Sequence, residues 1–213
     1  MNGAGLGTDY APPELLAFLA PGIVHALGNS LFAVSGNAQF LSDQRQPTSR
    51  LRGVILGAVE NAEHAVDLLR CLSEPSGDDR RPEQAGVLLN RLAPILRVPL
   101  RDRDLGLEIG HSSTETPRSV AVRPFVLAVA EATRLAHELL PRFVDGALHL
   151  DLCRQSRGSL DVVFEVRTRS QLLPFPLQFD AVAERMSAWT ARERVSVASE
   201  AGARLTLTLP TVG

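Results

Sequence analysis

Apolar and small residues recur at Ala20, Val24, Leu27, Leu31, Val34, Ala38 and Leu41, in alternating steps of four and three. That spacing keeps them on one seam of an α-helix. Pro12-Pro13 suits the first turn, where proline's fixed φ is already helical, and Pro21-Gly22 predicts an interruption or a kink. Asp43 to Ser49 reads as a turn, with Pro47 blocking continuation. A second seam runs through Leu51, Ile55, Ala58, Ala62, Ala65, Leu69 and Leu72 with the same steps. Two helices of about 25 residues joined by a short turn make an antiparallel hairpin. A lone hairpin leaves an apolar stripe in water. The pattern therefore predicts a homodimer that closes a four-helix bundle, and a charge placed at Ala62 should split it.

Ser73 to Glu83 is polar, charged and rich in helix breakers, and reads as a linker. Beyond it the periodicity is mixed. Ala85 to Leu96 and Phe125 to Leu140 carry helical stripes. Leu148 to Leu152 and Leu160 to Val166 alternate as half-buried strands around a turn at Arg154 to Ser159. Phe179, Val182, Met186 and Trp189 stripe a further helix, and Val195–Val197 with Leu205–Leu209 form a hairpin around Gly202. Residues 12–73 thus form one unit and 84–211 a second, and the fold class is α+β, with helices over one face of a small sheet.

Composition narrows the chemistry. The 213 residues carry 22 basic and 24 acidic side chains, a net charge of −2, and 45% hydrophobic residues. Such a balance builds a core and gathers neither nucleic acid nor an anionic membrane. All the basic residues are arginine, which removes Schiff-base lysines and the lysine of a P-loop. Two cysteines without a CxxC pair exclude a disulfide scaffold or cysteine-rich zinc site and fit a reducing cytoplasm. No signal peptide and no uninterrupted membrane-spanning run is visible.

The chemistry-bearing stretch is Ile23-Val-His-Ala-Leu-Gly-Asn-Ser-Leu31. If Val24 and Leu27 face the seam, His25 and Asn29 point outward one turn apart, with Gly28 leaving room for an approaching surface. A neutral imidazole on such a wall suits a nucleophile near pH 7. This stretch resembles the dimerisation and phosphotransfer region of bacterial sensor histidine kinases. The resemblance implies that His25 is the phospho-acceptor and that Asn29 positions water or a partner. Leu31 falls on the motif leucine, whereas Ala26 replaces the acidic general base and Ser30 the proline. Residues 84–211 resemble the family's ATP-binding domain, an α/β sandwich, with Val197-Ala-Ser-Glu-Ala-Gly202 and Leu205 to Pro210 matching its ending.

The nucleotide motifs are degenerate. Glu131-Ala-Thr-Arg-Leu135-Ala136 stands where the family has Asn-Leu-x-x-Asn-Ala, so the metal-binding Asn falls on Leu135. Arg167-Thr-Arg-Ser-Gln171 stands where a glycine-rich phosphate loop belongs, and no glycine occurs from Ser159 to Ala201. ATP is therefore not expected as a cofactor, nor any metal. His64, His111, His137 and His149 read as solvated or structural, Arg80-Arg81 and Arg101 to Arg103 as solvated loops, Met186 and Trp189 as core, and Cys71 and Cys153 as inert. The resemblance implies a cytoplasmic, dimeric histidine phosphotransferase in a two-component phosphorelay. It would pass a phosphoryl group between His25 and an aspartate of a response-regulator receiver domain, with no membrane or nucleic acid as partner; the receiver would bring its own Mg²⁺. The alternatives are a non-catalytic dimeric adaptor, favoured by Ala26 and Ser30, and dephosphorylation of a partner through Asn29.

Overall fold

The computed structural model describes residues 11–43, 49–73, 82–110, 118–140, 146–154, 158–168, 179–193, 195–200 and 203–212. Two long helices come first, α1 (Pro13–Asp43) and α2 (Ser49–Ser73). Then follow β1 (Pro82–Gln84), α3 (Ala85–Leu100) ending in a 3-10 turn at Arg101–Arg103, β2 (Gly106–Ile109), β3 (Ser119–Ala121) and α4 (Val122–Leu139). The chain closes with β4 (Gly146–Arg154), β5 (Ser159–Thr168), α5 (Phe179–Glu193), β6 (Ser196–Glu200) and β7 (Arg204–Pro210). The turn after Asp43, most of the linker, the middle of the β4–β5 turn, His111, Gly202 and the side chain of Trp189 lie outside the described residues.

Five strands form one sheet in the order β2-β4-β5-β7-β6, with β2 parallel to β4 and the other pairs antiparallel. The register sets Leu148, Leu150 and Leu152 opposite Val166, Phe164 and Val162, so one face is a continuous apolar layer. Helices α3, α4 and α5 cover that layer, with Phe125, Phe164 and Phe179 fully buried between them. The other face carries a row of charges across all five strands: Glu108, His149, Glu165, Arg204 and Glu200. The α+β class holds. The β1–β3 pair, three residues a strand, is too short to show an alternation and was not foreseen.

Helix α1 begins at the proline pair and runs through Pro21 unbroken, so the expected interruption does not occur. Packing on both sides explains why. Leu15, Leu19 and Ile23 are buried, and Gly22 lies so close to α3 that a Cβ there would sit 2.1 Å from the Ile95 carbonyl oxygen. Leu15, Leu19, Ile23, Leu68, Cys71 and Leu72 share one hydrophobic cluster with the sheet and its helices. Arg123, at the start of α4, donates from Nη1 to the Cys71 carbonyl oxygen at 2.6 Å, a buried cation on the last turn of α2. The hairpin base and the second unit are thus one packed body.

The predicted seam of α1 is its outer face. Val24, Leu31 and Phe32 are 68%, 65% and 82% exposed, while the inner face is formed by Leu15, Leu19, Ile23 and Ser30. With two apolar faces, Pro13–Gln39 is long and apolar enough to cross a membrane by length and composition, as a helix in a soluble bundle also is. The seam of α2 behaves differently: Ala58, Ala65 and Leu72 are buried within the chain, and Val54, Leu56, Val59 and Val66 are its exposed large apolar residues.

Gly22 yields a direct test of the α1–α3 contact. Alanine in a helix interior ordinarily gains about 1 kcal/mol over glycine. Here the new methyl meets a backbone carbonyl that no rotamer can move aside. Gly22→Ala is expected to lower the urea-unfolding free energy by about 1–3 kcal/mol. Equal or greater stability would show that the helices do not meet there.

Candidate functional site

His25 and Asn29 stand one turn apart on an exposed flank of α1, between its outer apolar stripe and the inner face packed on α2 and α3. The Asn29 amide nitrogen lies 3.0 Å from His25 Nε2. The amide can donate to Nε2 in the tautomer that carries its ring proton on Nδ1. In that tautomer Nε2 carries the lone pair that a nucleophile needs. The contact pairs Asn29 with the ring nitrogen that points along the helix flank. A Cβ at Gly28 would meet nothing within 4 Å, so the wall beside the ring is open. Ala26 is half-buried, and Ser30 is buried on the inner face.

A trough of about 860 Å³ runs between α1, α2 and α3, and both His25 and Asn29 line it. Its other polar walls are Asn61 and His64 from α2 and Asn90, Arg91, Arg97 and Arg101 from α3. His64 was expected to be solvated. Its side chain is 24% exposed, with Nε2 3.9 Å from a Glu60 carboxylate oxygen, and it shares the trough with residues of α3. Arg101 was read as part of a solvated loop; it lies on the turn ending α3 and faces the trough. Arg103, from the same turn, donates to the carbonyls of Glu138 and Leu140 at 3.3 and 3.4 Å.

The positions where the sequence resemblance places nucleotide-binding residues are occupied as follows. Leu135, where the resemblance would put a metal-binding Asn, is 1% exposed and packed in the core. The neighbouring face of α4 is closed by ion pairs. Arg134 is bidentate to Glu131 at 2.6 and 2.8 Å and also bonds Glu138 at 2.9 Å, which accepts from Arg185 of α5 at 2.8 Å. The Arg185 hydrogen bond holds the Glu138 carboxyl below its ordinary range. Arg167 is exposed and bonded to Glu165, while residues 169–178, with most of the expected phosphate loop, lie outside the described residues. Among the described residues no cluster of three or more His, Cys, Asp or Glu has the arrangement of a metal site.

Four other residues singled out in the sequence are among the described residues. Met186 is fully buried, as expected. Cys71 is buried, whereas Cys153 is exposed on β4, its thiol pushed up by burial of its sulfur and by Asp151. His137, on α4, packs against Phe18 of α1 with ring centroids 5.5 Å apart. Burial, and then the charge of Arg103, lowers its basicity. The neutral ring therefore stabilises the fold above the ordinary imidazole range, and that contribution is lost as pH falls through the lowered value. Thermal melts from about pH 7.5 to about 5.5 should show a decline that His137→Phe reduces. An unchanged slope in the variant would discount this contact.

No family model and no curated protein matches the sequence. Among solved structures, the chain aligns with the Acinetobacter baumannii histidine kinase AdeS at 16% identity and a TM-score of 0.40, covering 89% of this chain and 98% of that one. It aligns with full-length ShkA in complex with AMPPNP at 14% identity and a TM-score of 0.43, over 95% of this chain and 46% of that one. A bacterial phosphotransferase aligns at 10% identity and a TM-score of 0.37, over 92% and 95%. Similarity this distant says nothing of activity.

Proposed function

We propose that this chain is a histidine phosphotransferase of a two-component phosphorelay, exchanging a phosphoryl group between His25 and a receiver-domain aspartate without using ATP. The observation that carries the reading is the exposed imidazole of His25 with the Asn29 amide 3.0 Å from its Nε2. Attack by Nε2 on the partner's acyl phosphate forms the N–P bond as the aspartyl P–O bond breaks. The electron pair of that bond leaves with the carboxylate. The ring keeps its proton at Nδ1 and is cationic until that proton passes to water. No general base is needed to free the nucleophile, so Ala26 costs this reaction less than it would cost a kinase. What remains for the protein is positioning and charge stabilisation.

The proposal includes a homodimer, supported by the open stripe of Val24, Leu31 and Phe32, which a second hairpin would cover as a four-helix bundle. It further includes a cytoplasmic location and no membrane or nucleic-acid partner. Dephosphorylation of a partner through water on Asn29 uses the same docked geometry without the covalent intermediate. The adaptor reading draws its support from Asn29 as well, since an occupied Nε2 is what a retired nucleophile would keep. The test is incubation with ³²P-phosphorylated receiver domains cloned from the same genome. Acid-labile, alkali-stable label on the chain supports transfer; stable binding without label supports the adaptor.

A further inference from the structure

The trough beside His25 has a charge character the rest of the chain lacks. The protein carries more acid than base, at −2 overall, yet among the described residues no Asp or Glu lines the trough. Arg91 and Arg97 of α3 and Arg101 of the turn that follows stand on its wall with Asn90, among the apolar Val87, Pro94, Ile95 and Val98. Arg91 is committed to an ion pair with Glu83. Arg97 anchors its Nε on the Leu107 carbonyl oxygen at 3.4 Å, which leaves its terminal amino groups for other partners. Arg101 has no ion-pair partner among the described residues. The wall is also fixed in place: the Gly22–Ile95 approach holds α3 against α1 within one turn of His25.

We infer that this trough receives the acidic rim of the phosphorylated aspartate site of a protein partner, with Arg97 and Arg101 as its cationic contacts. The inference rests on the proposed function and extends it to the second unit, which becomes a docking wall in place of a nucleotide site. Charge complementarity selects the occupant. An aspartyl phosphate and the carboxylates around it are anionic, and an arginine-bearing trough that His25 lines attracts and orients such a surface. Guanidinium groups offer planar, multiply donating partners for carboxylate and phosphate alike. A nucleic acid would call for a longer basic track than two free arginines, on a chain with no lysine.

The test compares two phosphoryl donors on the full-length protein. Phosphoramidate, small and needing no docking surface, reports the reactivity of His25 alone. The ³²P-phosphorylated receiver panel reports docking and reactivity together. Arg97→Glu/Arg101→Glu is expected to reduce the second-order rate of receiver-dependent labelling by about 10- to 100-fold. Phosphoramidate labelling should stay within about twofold, and the salt dependence of the receiver reaction should flatten. Arg97→Gln/Arg101→Gln, which removes charge without reversing it, should fall between. Unchanged receiver transfer in the Glu variant overturns the inference while leaving His25 as acceptor. So does equal loss with both donors, which would indicate damage to His25 itself. Retention of a duplex DNA probe that the Glu variant loses would overturn it in favour of nucleic acid. If wild type takes label from neither donor, the proposed function fails and the docking wall with it.

Discussion

Replacing His25 with alanine is expected to reduce receiver-dependent labelling by at least about a thousandfold, to the background of the assay, because no other residue in the trough supplies an equivalent nucleophile. His64 lines the same trough from α2, but its Nε2 is turned toward Glu60. The fold should survive, since the His25 side chain is exposed and its hydrogen bond is to another exposed residue. A circular-dichroism melt coinciding with wild type, beside lost label, is the expected pair of results. Asn29→Ala separates acceptor from positioning residue. It leaves Nε2 uncapped, so labelling should persist, while ¹⁵N chemical shifts of the ring should show the Nδ1–H preference weakened. Loss of label in Asn29→Ala equal to that in His25→Ala would contradict these roles.

The second large effect concerns assembly. Leu31→Glu places a carboxylate in the middle of the outer stripe of α1, flanked by Val24 and Phe32. Burying a leucine side chain contributes about 1.5–3 kcal/mol, and two-fold symmetry counts the loss twice, before the cost of facing two carboxylates is added. A rise in the dimer dissociation constant of at least about a thousandfold follows, near 4 kcal/mol. Sedimentation velocity at tens of micromolar should find a folded monomer. Leu31 is a cleaner position than Ala62, which is half-buried inside the subunit, so a charge there would disturb α2 as well as the interface. A dimer that persists in Leu31→Glu would place the interface elsewhere.

The heptad of α1 was legible because its outer stripe is regular, and the exposed flank holding His25 and Asn29 followed from that phase. The inner face was not, because Leu15, Leu19 and Ile23 carry a second apolar stripe on the same helix. A pattern apolar on two sides does not say which side is covered first. Pro21-Gly22 looks the same whether it ends a helix or admits a neighbouring carbonyl, and only Ile95 decides. The strands and helices of the second unit showed their alternation and stripes clearly, so the α+β class was readable. The arginine wall had a signal of its own, Asn90, Pro94, Arg97 and Arg101 in steps of four, three and four on an otherwise apolar helix. What no spacing contains is that this stripe faces His25, about seventy residues earlier, because that juxtaposition is made by tertiary packing alone.

The account is tested most directly by mapping phosphorylated residues in wild-type protein after parallel incubation with Mg²⁺ and [γ-³²P]ATP and with ³²P-phosphorylated receiver domains. It predicts one modified residue, His25, in the receiver reaction and none in the ATP reaction. Label from ATP, or receiver-derived label on any residue other than His25, would contradict it.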